Sequence, residues 1–247
     1  MSKLHVALCS IASIAAAGTL FAAEGVHWSY SGPTGPEHWA ELSPEYAACG
    51  IGLNQSPIDI TDTVEADLDT LNFDYHAGAT AIINNGHTLQ VNVAPGSWLR
   101  IGDDEFQLIQ FHAHSPSEHQ VNGELFPLEE HFVHQNESGA LAVVSVLYRA
   151  GEFNEHIARL GAAAPTELHQ PVQLDVDITF FELYSDHDSY YRYNGSLTTP
   201  PCTEGVRWFV LKTKGHIAPE QAENFVGLIG EDARGPQPLN ARIVLEN

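Results

Sequence analysis

A histidine-rich stretch decides the fold and the chemistry of this chain: Gln110-Phe111-His112-Ala113-His114-Ser115-Pro116-Ser117-Glu118-His119. Its first half continues a run of alternating apolar and polar residues and predicts a β-strand. Successive side chains of a strand point to opposite faces, so His112 and His114 share a face and lie about 6.6 Å apart along the chain. Both imidazoles can therefore reach one metal ion.

A third ligand must come from a neighbouring strand, and the segment Glu129-Glu130-His131-Phe132-Val133-His134 offers one. Within it, His131 shares a face with Glu129 and Val133, whereas His134 lies opposite. Three neutral imidazoles with an open fourth position are typical of a catalytic zinc site. A structural zinc site normally fills all four positions, usually with cysteines, and the cysteines of this chain are too few and too distant.

The alternative is that these histidines are ordinary hydrogen-bonded or surface residues of strands. Two neighbours favour a metal site instead. Gln110 lies on the face of His112 and Glu129 on the face of His131, so each can accept the second ring N–H of a ligand and fix its tautomer.

Outward from this region, the chain consists mostly of short β-branched or alternating stretches separated by Gly, Pro, Asn and Asp. These predict strands at 80–83, 87–93, 106–114, 129–134, 141–148 and 206–211. Helices are predicted only at 153–160 and 219–228. With 247 residues, 43% of them hydrophobic, and no internal repeat, the chain predicts one β-dominated domain with a few short surface helices.

The charge balance excludes two classes of partner. Lys and Arg total 10 against 32 Asp and Glu, giving a formal net charge of -22, so nucleic acid and anionic lipid are poor candidates. After the first thirty residues, no stretch approaches the roughly 18 apolar residues of a membrane span. The oligomeric state is left open, and a homodimer is compatible with the sequence.

The first 23 residues differ from the rest. Lys3 and His5 precede an apolar, alanine-rich run, and no acidic residue occurs before Glu24. This pattern predicts a secretory signal peptide at 1–23, a mature domain at 24–247 and a periplasmic or secreted protein, with the cleaved bond left open. Cys49 and Cys202 then form an even pair, for which one disulfide is the simplest interpretation and two buried thiols the alternative.

Five blocks of sequence together resemble the α-carbonic anhydrases of the secreted and bacterial branches. They occur in the order of that family, within a likeness that extends from His27 to Asn240. The blocks are Gln55-Ser56-Pro57-Ile58, Asn84-Asn85-Gly86-His87, residues 110–119, residues 129–134, and Gly195-Ser196-Leu197-Thr198-Thr199-Pro200-Pro201-Cys202.

The resemblance implies a large, twisted, mainly antiparallel central sheet with zinc at the bottom of a conical cleft. It also implies reversible hydration of carbon dioxide to bicarbonate by zinc-bound hydroxide. The zinc ligands fall on His112, His114 and His131. Thr198 falls on the hydroxyl that orients the hydroxide while donating its own proton to Glu118.

For the remaining cleft, the resemblance implies that His87 shuttles protons, with Tyr30 and Asn85 holding the water chain, and that Thr199 lines the pocket. From strand alternation alone, His87 would instead be a histidine at the rim of a core face. The resemblance also implies a disulfide that anchors the loop ending in Thr198 and Thr199. Carbon dioxide would lie against five apolar side chains, Val133, Val143, Leu197, Val206 and Trp208.

Three residues depart from the family pattern. Ala113 stands where a large aromatic residue is usual, Glu130 stands at a commonly apolar position, and Asp232 stands where an Asn often supplies a backbone carbonyl. None of them removes a ligand or Thr198. Two other functions remain open, a catalytically silent binding module of the same fold and a zinc esterase.

Overall fold

The computed structural model describes residues 26–174 and 188–247, so the predicted signal peptide lies outside the described residues. Within these ranges the helices are short, in line with the few helical signals of the sequence. Two 3₁₀ helices span Gly32–Thr34 and Pro44–Tyr46. The α-helices are α1 (Trp39–Leu42), α2 (Ala48–Ile51), α3 (Glu155–Ala163) and α4 (Pro219–Ile229).

Strands dominate the described part of the chain, which confirms the predicted fold class. In chain order they are β1 (Asp59–Ile60), β2 (Val64–Glu65), β3 (Leu71–Tyr75), β4 (Ala79–Asn84), β5 (Leu89–Val93), β6 (Ser97–Ile101), β7 (Asp104–His114), β8 (Gln120–Val121), β9 (Glu124–Leu125), β10 (Leu128–Gln135), β11 (Leu141–Ala150), β12 (Val172–Gln173), β13 (Tyr190–Ser196), β14 (Glu204–Leu211), β15 (Gly215–Ile217) and β16 (Leu245–Glu246).

Thirteen of the described strands form one sheet, and ten of them follow the order β12-β4-β5-β7-β10-β11-β14-β13-β16-β2. Strand β6 pairs with β3 and β7, and β15 pairs with β11, while β1, β8 and β9 form a small separate sheet. Most neighbours are antiparallel, but β11 runs parallel to β14 and β15, so the sheet is mixed. The longest strands, β7 and β11, lie near its centre.

Apolar residues at alternate positions of the strands cover one face of this sheet and form a core there. Phe111, Phe132, Val144 and Phe209 are neighbours across β7, β10, β11 and β14, and all belong to the larger core cluster. Helices α3 and α4 cover part of that cluster with residues such as Ile157 and Phe225. The opposite face of the same four strands carries the residues that alternate with this core, among them His112 and His131.

The structure corrects one predicted boundary near the cleft. The strand predicted at 87–93 begins at Leu89, because Asn85 Oδ1 accepts the backbone N–H groups of His87 and Thr88, each at 2.9 Å, and closes a turn. His87 therefore precedes the strand, and strand alternation does not place its side chain. Helix α3 begins two residues later than predicted, after Asn154, whose Oδ1 caps the Ile157 N–H at 3.1 Å. No described helix is long and apolar enough to cross a membrane.

Candidate metal centre

The register of the central strands brings the three predicted ligands together. His131 of β10 pairs with His112 of β7, while His114 pairs with Glu129 one row away on the same face. His114 and His131 are buried, and His112 is half-buried. One ring nitrogen from each of the three histidines can be chosen so that all three atoms lie within 4.8 Å of one another.

Each imidazole is held by a hydrogen bond from its other nitrogen. Nδ1 of His112 lies 2.8 Å from Oε1 of Gln110, and Nε2 of His131 lies 2.9 Å from Oε1 of Glu129, as predicted from strand alternation. Nδ1 of His114 lies 2.7 Å from the backbone oxygen of Asp232. These acceptors fix the tautomers so that Nε2 of His112, Nε2 of His114 and Nδ1 of His131 face one another with lone pairs.

Several buried polar atoms beside the three histidines have no hydrogen-bond partner. Among the described residues, His114 Nε2, Glu118 Oε2 and Asp232 Oδ2 are buried and accept or donate no hydrogen bond. Glu118 Oε2 lies 3.5 Å from His114 Nε2 and 3.9 Å from His131 Nδ1. A buried anion beside unpaired imidazole nitrogens is costly unless a cation joins them. The residues therefore fit a divalent cation with nitrogen ligands, such as zinc.

The pKa values of the three imidazoles shift in different directions, falling at His112 and His131 and rising at His114. Burial holds the pKa of His112 well below 6.5, which keeps that imidazole in its neutral, ligating form. Burial also disfavours protonation of His114, but the carboxylates of Glu118 and Asp232 outweigh it and raise its pKa to about 10. A positive charge at His114 is thus favoured, whether a proton or a metal ion supplies it.

Glu129 is the most heavily bonded carboxylate of the centre. Its Oε2 accepts the backbone N–H groups of Glu118 and His119, each at 2.8 Å, while its Oε1 binds Ser145 and both histidines, His119 and His131. Burial alone would raise the pKa of Glu129, yet His119 and His131 hold it well below its usual range. An ionised Glu129 fixes the His131 ring in place.

The loop that carries Thr198 is covalently anchored. Cys49 and Cys202 form the predicted disulfide, which excludes the alternative of two free thiols in this structure. Gln55 adds a hydrogen bond from Nε2 to the Cys202 carbonyl at 3.0 Å. Thr198 is buried and Thr199 half-buried within this loop.

The hydrogen bond expected from Thr198 to Glu118 is absent from the structure. Glu118 Oε1 accepts the backbone N–H of Arg234 at 2.9 Å, and Oε2 faces the imidazoles of His114 and His131. Oε2 makes no hydrogen bond among the described residues.

The five apolar residues predicted to receive carbon dioxide form one surface beside the histidines. Val133, Val143 and Trp208 are direct neighbours across β10, β11 and β14, in the row next to His131. The Trp208 ring centre lies 4.8 Å from that of His131. The second core cluster contains the whole set, with one member partly buried: Val133, Val143, Val206, Trp208 and Leu197.

His87 lies away from the sheet, in the turn after β4, and stacks on Trp28. Asn85, predicted to hold water, uses its Oδ1 to shape that turn. Tyr30 lies edge-on to Trp28, and its hydroxyl is buried without a partner among the described residues. Burial, with the charges of Glu118 and Asp232, raises the pKa of Tyr30 well above 10, so its hydroxyl stays protonated.

Comparison with known proteins decides the family. A family model described as eukaryotic-type carbonic anhydrase matches residues 34–247. The chain belongs to this family, the α-carbonic anhydrases.

Individual relatives are similar to this chain over most of their lengths. This chain is 40% identical over 244 residues to a carbonic anhydrase of Pectobacterium carotovorum, covering 98% of each chain. It superimposes with a TM-score of 0.86 on α-carbonic anhydrase from Thermovibrio ammonificans in complex with sulfanilamide, at 45% identity, covering 90% of this chain and 99% of that one. It is also 37% identical over 227 residues to dioscorin dioA3 of Dioscorea japonica, covering 86% of this chain and 82% of that one.

Two departures from the α-carbonic anhydrase pattern adjoin each other behind the metal face. Ala113 and Glu130 are paired residues of β7 and β10, and both are buried. The Glu130 carboxylate accepts from the Tyr148 hydroxyl and lies 2.8 Å from His156 Nε2. A polar network thus surrounds Glu130 on the face opposite the ligands, which explains how a charged side chain is tolerated there.

Sequence reasoning missed two residues that support the α-carbonic anhydrase site. Arg234 is buried, and its guanidinium donates to Gln55, Ser56 and Cys49, tying the C-terminal segment to the disulfide. Trp28 stacks on His87. Both residues contact side chains more than fifty positions away in the chain, so no local spacing in the sequence predicts their roles.

Proposed function

We propose that this chain catalyses the reversible hydration of carbon dioxide to bicarbonate and a proton, with zinc held by His112, His114 and His131. The observation that carries the proposal is the cluster of three imidazoles, each fixed by a hydrogen bond on its far nitrogen, beside an apolar wall. Zinc, when bound, supplies a Lewis acid that makes water acidic enough to ionise near neutral pH.

The protein's first task is to fix the ligands. Gln110, Glu129 and the Asp232 carbonyl each accept a ring N–H and prevent rotation of the imidazole. Such acceptors set the tautomer and raise the basicity of a ligand. The fourth position stays open, because among the described residues no further His or Cys joins this cluster.

The second task is to orient the attacking oxygen. Thr198 is buried in the loop anchored by Cys202, next to the wall residue Leu197. Glu118 Oε2 has no hydrogen-bond partner among the described residues, so with the imidazole nitrogens committed to a metal it would be available to accept a hydrogen bond from the Thr198 hydroxyl. Thr198 can then only accept a hydrogen bond from the nucleophile, which directs its lone pair at the substrate.

The apolar wall suits a substrate without charge. Carbon dioxide has no hydrogen-bond donor and weak acceptors, so a surface formed by Val143, Val206 and Trp208 binds it without a desolvation cost. Bicarbonate is charged and is bound less well by such a wall, which favours its release.

Proton removal falls to His87 in this proposal. An imidazole is the side chain whose charge changes nearest to neutral pH, so it can accept a proton through water and pass it to buffer. Support comes from its position in a half-buried turn, where it stacks on Trp28, which in turn contacts Tyr30.

One experiment separates this function from the alternatives. The mature chain, 24–247, is stripped of metal, and carbon dioxide hydration is followed by stopped flow before and after one equivalent of zinc is added. Hydration restored by zinc is the expected result. Stoichiometric zinc without hydration would instead support the binding module. Ester hydrolysis without hydration would support the esterase.

We also propose that residues 1–23 direct export to the periplasm or the exterior. The basic start, the apolar run and the later disulfide support this. N-terminal sequencing of protein recovered from the periplasm tests it. An intact Met1 terminus in a cytoplasmic fraction would contradict it.

A further inference from the structure

We propose that the carboxylate of Asp232 is a positioning residue of the metal centre, which strengthens zinc binding by acting through His114. The inference rests on the proposed function, since it assumes that zinc is the bound ion. It concerns the Asp232 side chain, whereas the backbone carbonyl of the same residue makes the hydrogen bond to His114 Nδ1 at 2.7 Å.

The side chain is held in one orientation. Asp232 is 1% exposed, and its Oδ1 accepts the backbone N–H of Ser115 at 2.8 Å. This bond directs Oδ2 towards the histidine, where it lies 3.5 Å from His114 Nδ1 and has no hydrogen-bond partner. A buried carboxylate oxygen left in that state is stabilised only by positive charge on or behind the imidazole.

An asparagine, common at this position in the family, would act differently here. The Ser115 N–H requires an oxygen at the Oδ1 position, so the amide nitrogen of Asn would take the place of Oδ2. A donor would then face the N–H edge of His114 in place of an anion. Every hydrogen bond made by Asp232 is kept in this exchange, while its negative charge is lost.

The negative charge of Asp232 also lies where it can act on the metal ion through His114. The His114 ring lies between Asp232 at Nδ1 and the open metal position at Nε2, and its far neighbour Glu118 adds a second carboxylate. Negative charge behind a ligand imidazole raises its basicity, and removal of such partners typically weakens metal binding about 10- to 100-fold.

The test is Asp232→Asn in the full mature domain, with Asp59→Asn as the matched control. Asp59 Oδ1 likewise accepts a backbone N–H, that of Gly123 at 3.0 Å, and no described hydrogen bond or ion pair joins it to the three histidines. Zinc affinity is measured by competition with a chelating dye, and cobalt(II) absorption reports the coordination geometry. Circular dichroism of the zinc-free proteins checks the fold.

We expect Asp232→Asn to weaken zinc binding at least about tenfold relative to Asp59→Asn, with an unchanged cobalt(II) spectrum. Equal affinities would overturn the proposal and leave the role to the backbone carbonyl. An altered spectrum would also overturn it, because Asp232 would then shape the ligand geometry. If Asp232→Asn and Asp232→Ser both unfold without zinc, the carboxylate serves the fold and the proposal is wrong.

Failure of the proposed function is a separate outcome. It would appear in the wild-type chain as weak zinc binding or as no hydration after zinc is added. A difference between Asp232→Asn and the control can be measured by metal affinity whether or not the loaded protein hydrates carbon dioxide.

Discussion

The imidazole of His87 stacks face to face on the indole of Trp28, with ring centres 3.6 Å apart and planes 6° from parallel. Burial in this stack, together with His27 and His169 nearby, lowers the pKa of His87 to about 4. In this position the imidazole is neutral at pH 7 and holds a proton poorly. Proton transfer through His87 is therefore favoured when the ring leaves the stack for water.

Replacement of Trp28 tests this relationship. Trp28→Ala should raise the pKa of His87 from about 4 towards 6.5, because the ring then becomes hydrated. Titration of the His87 ring protons by NMR measures the shift. The control is Trp98→Ala on strand β6, which should leave the pKa unchanged; a pKa that stays near 4 in Trp28→Ala would show that the stack is not its cause.

His87→Ala should lower the maximal rate of carbon dioxide hydration while kcat/KM stays nearly constant, because proton release follows the chemical step. Added imidazole buffer should restore part of the maximal rate. Stopped-flow measurements at several buffer concentrations give both constants. An equal fall in both, without rescue, would mean that His87 builds the site and does not carry protons.

His131→Ala should abolish most zinc binding and activity, since one of three ligands is lost. The control lies three residues away in the same strand: His134 is on the opposite face, where its Nδ1 donates to the Ala142 carbonyl at 3.2 Å. His134→Ala should retain one zinc per chain by elemental analysis. Stoichiometric zinc and full activity in His131→Ala would refute the ligand assignment.

The disulfide should stabilise both the domain and the Thr198 loop. It links residues 153 positions apart, for which the loss of chain entropy in the unfolded state gives an upper value of about 5 kcal/mol. Cys202→Ser should therefore lower the free energy of unfolding and speed amide hydrogen exchange at 197–202. Exchange at the turn of 136–139, far from the disulfide in sequence, serves as the internal control and should not change.

Stability should fall in acid in part because of His134. Burial lowers the pKa of this fully buried imidazole from 6.5 to about 4. The unfolded chain thus binds the proton more tightly, so stability is complete above pH 6.5 and declines as the pH falls towards 4, by about 3 kcal/mol in full. Denaturant unfolding from pH 8 to 5 should show a smaller slope for His134→Gln than for the wild type. His216→Gln, at an exposed position, should keep the wild-type slope.

Strand alternation within single segments was enough to predict much of the metal face. It placed His112 with Gln110 and His131 with Glu129, and both hydrogen bonds are present. It failed at His87, because the side chain of Asn85 closes a turn that interrupts the alternation. A period of two holds only while the backbone stays extended, and a local side-chain bond ends it.

The sequence by itself determined which residue types line each strand, and hence that a β-dominated domain with a three-histidine face would form. Tertiary structure decided which strands are neighbours, and with that the row of His112 and His131, the wall of Val143 and Trp208, and the approach of Asp232 to His114. The physical reason is range: alternation acts between adjacent residues, whereas pairing and the burial of charge depend on contacts between residues far apart in the chain.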